Sequence, residues 1–127
     1  MRISRQGGRR CAHAIVLALL GGAQLAIAME CPAPPVQSRK DWESEVKAEV
    51  GRIGFVRGAQ LDAKVRTATQ DLMGKLPGAD RVYLEQMMFS AYCTALRDDP
   101  SVSGADKSRQ ILEYRRALNA ALKTSKP

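Results

Sequence analysis

The chain has 127 residues, with 20 Lys and Arg against 13 Asp and Glu and a formal net charge of +7. This length suits a single domain with limited surface to bury. Cations and acids alternate along most of it, without the dense basic patch of a nucleic-acid domain, so nucleic acid is set aside as a partner.

Residues 1–28 read as a cleavable signal peptide. Arg2, Arg5, Arg9 and Arg10 precede an apolar run from Ala14, which closes on Ala26-Ile27-Ala28, the small-x-small pattern of a cleavage site. The run contains Gln24 and is shorter than the roughly 20 apolar residues a spanning helix needs, so no membrane span is expected after cleavage. Localisation is therefore expected to be periplasmic or secreted, through the general secretory route. Cleavage takes four of the 20 cations and leaves 16 against 13, a net charge of +3. It also takes Cys11 and the only histidine, His13.

Cys31 and Cys93 then remain as an even pair in an oxidising compartment, which reads as one disulfide. The loop closed is long, so the chain-entropy model assigns it roughly 4 kcal/mol of stabilisation. Pro32 to Gln37 (PAPPVQ) cannot continue a helix, and residues 29–37 are expected to form an extended Pro-rich arm ahead of a helical domain over 38–127.

Ser38 and Asp41 have capping-box spacing for a first helix. Trp42, Val46, Val50 and Ile53 recur at helical spacing, the helix is expected to end near Gly51, and Glu43, Glu45 and Glu49 read as its solvated face. Gly51-Arg52-Ile53-Gly54 matches the G-x-x-G of a nucleic-acid-clamping loop, but the match is two glycines long in a chain without strands, and a helix end and turn explain it better. A second run places Leu61, Val65, Ala68, Leu72 and Leu76 on one face, with Asp62 and Arg66 spaced to pair on the other. Pro77-Gly78 ends it. The short connection predicts an antiparallel hairpin with the next helix.

The third run, from about Asp80 to Arg97, is the most apolar and reads as a central buried helix with Asp80 as its N-cap. Asp98-Asp99-Pro100 stops it; the calcium-loop spacing D-x-[DN]-x-[DN]-G fails at Pro100 and Val102. Ser103 and Asp106 have capping-box spacing for a last helix, whose buried face carries Ile111, Tyr114, Arg115, Leu118, Ala121 and Leu122. The expected fold is all-α, a small four-helix bundle-like domain with one disulfide.

With His13 removed and both cysteines oxidised, histidine-based nucleophilic chemistry, His-containing zinc sites and thiol catalysis all leave the list of expectations. No catalytic residue, metal or cofactor is assigned. Glu85, an acid in the largely apolar third run, is the candidate for carboxylate chemistry, with a wet helix edge one turn from Arg81 as its simpler reading. Met87, Met88, Phe89 and Tyr92 are candidates for an adaptable apolar binding groove, against the commoner role of such residues as core. Trp42 is a candidate recognition anchor if exposed. The expected function is an exported non-enzymatic binding protein, of inhibitor, immunity or envelope-assembly type, with a protein partner. The alternatives are a carboxylate-dependent envelope glycan hydrolase and a periplasmic stress chaperone.

Overall fold

The computed structural model describes residues 29–36 and 39–125. The signal peptide read at 1–28 and the Ser38 cap lie outside the described residues. Four helices follow one another: α1 (Lys40–Ile53), α2 (Gly58–Lys75), α3 (Arg81–Asp98) and α4 (Gly104–Thr124). There is no strand among the described residues.

The helix boundaries follow local chemistry. Asp80 caps α3, its carboxylate accepting the Tyr83 N–H at 2.7 Å. Ser103 caps α4 by accepting from Asp106 N–H at 3.3 Å, while its own hydroxyl donates to the Asp106 carboxylate at 2.9 Å. Each such cap contributes about 1 kcal/mol. Helix α1 runs past Gly51 to Ile53 and stops where Gly54 takes φ 64°; Gly78 takes φ 88° in the turn after α2. Both conformations favour glycine over any residue with a Cβ.

One apolar core unites the four helices. Val46, Val50 and Ile53 of α1 meet Leu61, Val65, Ala68 and Leu72 of α2, with Leu76 beyond its end. Leu84, Met87, Met88, Tyr92 and Leu96 of α3 face Tyr114, Ala117, Leu118, Ala121 and Leu122 of α4. Packing is closest between α1 and α2, α3 and α4, α1 and α3, and α2 and α4. Lys64 Nζ reaches Ile53 O at one end of α1/α2 and Lys75 reaches Glu45 at the other, which makes that pair antiparallel. Lys107 on Arg97 O and Arg81 on Ser125 O show the same for α3/α4.

The expected hairpin between α2 and α3 is corrected by this arrangement. Those helices lie across the diagonal, meeting where Thr69 Oγ stands 3.9 Å from Met88 Sδ. The short connection sets their opposed direction but not their adjacency, because the α2 stripe is already covered by α1 and α4. Nor is α3 central: it packs beside α1 and α4 and leaves Val82 62% exposed.

Cys31 and Cys93 are joined by a disulfide. Ser90 Oγ donates to Pro32 O at 2.8 Å, so the arm is tied along α3 at a second point. A disulfide fits an exported protein. No helix among the described residues is long and apolar enough to cross a membrane.

Candidate functional site

The arm, α1 and α3 enclose a half-open groove of about 420 Å³. Its floor is apolar, made by Val46 and Val50 of α1 and Met87 of α3, all buried in the core behind it. Pro34 closes one side, and Glu43, Lys47 and Thr94 supply polar rim. The groove exists because small residues occupy the seam where larger ones would interdigitate. Gly51, Ser90, Ala91 and Ala95 line it, and a Cβ added at Gly51 would meet nothing within 4 Å. The Ser90 hydroxyl is already committed to Pro32, which leaves the groove chiefly as an apolar receptacle.

The residues singled out from the sequence are dispersed. Met87 is 3% exposed and lines this groove. Met88 is fully buried, beneath the Tyr114 hydroxyl that donates to its carbonyl at 3.2 Å. Tyr92 is also buried: its ring stacks on Tyr114 with centroids 3.7 Å apart, Phe55 meets it edge-on, and Gln110 Nε2 donates to its hydroxyl at 2.9 Å. Burial pushes both tyrosine hydroxyls above their ordinary range, Tyr114 furthest. Phe89 is half-buried on the far side of α3 beneath the Arg115 guanidinium, 4.4 Å from its ring centroid. It shares a second cleft with Met29, Cys31 and Ile111. Trp42 is half-buried, edge-on to Tyr83 at 5.5 Å with Arg39 over its face. The sequence grouping of five binding residues thus divides among core, groove and two surfaces.

The acids required by a hydrolase reading are placed differently from expectation. Glu85 is half-buried on α3 and lines neither the groove nor the α1/α2 cleft. Two acids, Glu49 and Asp71, share the open cleft between α1 and α2. Glu49 was expected on the solvated face of α1; it is 3% exposed and takes Lys75 Nζ at 2.6 Å and Arg52 at 2.9 Å. The Lys75 hydrogen bond holds its carboxyl below the usual carboxylate range, prevailing over burial, which acts in the opposite direction; Arg52 adds to the lowering. A general acid for glycoside cleavage needs a raised pKa, and Glu49 is shifted the other way. Sequence reading missed this cluster because Lys75 lies 26 residues from Glu49; only the Glu49–Arg52 spacing was visible locally. Asp62 and Arg66, spaced to pair on α2, are both exposed and form no ion pair with each other.

No family model, curated protein or solved structure matches this chain.

Proposed function

We propose that the protein is an exported, non-enzymatic binding protein. In this reading residues 1–28 are cleaved, the helices form a small stapled bundle-like domain outside the cytoplasm, and a protein partner inserts apolar side chains between α1 and α3. The observation that supports it is the groove of about 420 Å³, apolar at its floor and held open by Gly51, Ala91 and Ala95. A concave apolar site with a few polar groups at its rim is the usual form of a binding pocket. Of the residues proposed from sequence for partner binding, Met87 is the one that lines it, and Trp42 sits four residues before Val46 on the same helix.

A photo-crosslinking residue placed at Lys47 or Ala95, both exposed at the groove, tests the reading in the native envelope. The expected result is one adduct common to both positions, absent at the exposed α2 position Gln70 and abolished by Ala91→Trp in a folded variant. Equal adducts at Gln70, or an adduct indifferent to the filled groove, would refute it.

A further inference from the structure

The charge of this protein is concentrated on one element. Helix α4 (104–124) carries five cations and two acids, while the rest of the chain beyond residue 28 carries eleven of each. The net charge of +3 beyond residue 28 therefore resides on α4. Both of its acids are engaged locally: Asp106 with the Ser103 cap, and Glu113 with Arg57 at 2.7 Å. Arg109, Arg116 and Lys123 are exposed and form no ion pair with an acid of the described residues.

Those three cations recur every seven residues, which puts them on one face of α4 over about 21 Å of helix. Leu112 sits on the same face, 64% exposed, with Arg109 one turn before it and Arg115 and Arg116 one turn after. Most of this apolar side chain is therefore in water, with three arginines within one turn of it.

We propose that the outer face of α4 is a peripheral docking surface for an anionic lipid bilayer. A flat anionic surface meets a straight row of cations along its whole length. The boundary between headgroups and acyl chains also takes up Leu112, which a soluble polyanion would leave in water. The arginines and Lys123 keep their charge at the headgroups while their stems cover the apolar boundary. This surface is separate from the α1/α3 groove, and each stands or fails alone.

Co-sedimentation of residues 29–127 with vesicles of phosphatidylglycerol and phosphatidylcholine, against phosphatidylcholine alone, tests it at low and at physiological salt. Binding is expected only to the anionic vesicles and should weaken as salt rises. Each cation near such a surface strengthens binding about fivefold, so R109Q/R116Q/K123Q should lose about 100-fold. These positions are exposed, and an unchanged circular dichroism spectrum should accompany the loss. Leu112→Asn should weaken vesicle binding several-fold while leaving retention by soluble polyphosphate unchanged. Equal binding to both vesicle types, no binding to either, or a folded triple variant that binds like the parent would overturn the proposal. So would a polyphosphate affinity that exceeds vesicle binding and ignores Leu112.

Discussion

Glu49 is a buried acid whose environment opposes protonation. It is nearly closed to water, yet its two cations are not: the Lys75 and Arg52 side chains are 45% and 70% exposed. Removing the carboxylate leaves cations that swing into solvent, so the cost stays below that of breaking a fully enclosed pair. Glu49→Gln is expected to destabilise the domain by about 1 kcal/mol at neutral pH, read by urea denaturation. Because the folded pKa is depressed, the stabilisation is present above the unfolded value near 4.5 and is lost as pH falls through the folded value. The acid limb of a stability profile should therefore be shallower in Glu49→Gln. A slope unchanged below pH 4.5 would show that the cluster contributes nothing. Tyr114 acts at the opposite end. Its folded pKa is raised by burial, so stability should fall as pH rises past 10.0, where the unfolded phenol ionises, and Tyr114→Phe should remove part of that fall. Neither residue was legible from sequence in these roles. Glu49 sits beside Val50 and between Val46 and Ile53 on the edge of the apolar stripe, and its decisive partner is on another helix. Tyr114 was visible as a core position, but the Tyr92 ring stacked on it was not.

At the scale of elements, the local signals were the readable ones. The five-residue α2 stripe and the Asp80 and Ser103 caps follow from spacing that a single helix imposes, whereas the Cys31–Cys93 pair was read from the count of cysteines beyond residue 28. Asp80→Ala should cost about 1 kcal/mol, detectable as a lower denaturation midpoint with unchanged slope. Cys31→Ser with Cys93→Ser should cost more, up to about 4 kcal/mol for the long loop it reopens. That variant should also free the arm, since Pro32 is then held to α3 by the Ser90 hydrogen bond alone among the described contacts. Fast side-chain motion at Ala33 and Val36, read by NMR relaxation, should rise selectively while hydrogen exchange in the helices stays unchanged. Uniform exchange across all four helices would instead point to a global role for the bond. What spacing did not reveal was which helices are neighbours. A short linker fixes that α2 and α3 run in opposite directions, but the choice between side-by-side and diagonal placement depends on which apolar faces meet, and that is decided by all four helices together.

For the molecule as a whole, the groove and the charged face depend on different parts of the fold. The groove needs the tethered arm and the small residues of the α1/α3 seam; the α4 face needs only its own seven-residue spacing. The sequence pointed to Met87 without showing that its immediate neighbours turn away from it, Met88 into the core and Phe89 toward Arg115. Three consecutive residues on a helix point about 100° apart and cannot line one groove together, so a run of Met and Phe overstates a site. In the proposed reading export ties these features together: loss of residues 1–28 would remove Cys11 and His13, leave Cys31 and Cys93 as the cysteine pair and set the net charge at +3. The most direct measurement is the intact mass of the protein recovered from cells, under non-reducing conditions. The predicted result is a chain beginning at Met29, lighter than its reduced form by the hydrogens lost in one disulfide. A chain that retains Cys11 and His13, or whose Cys31 and Cys93 both accept an alkylating label without reduction, would contradict it.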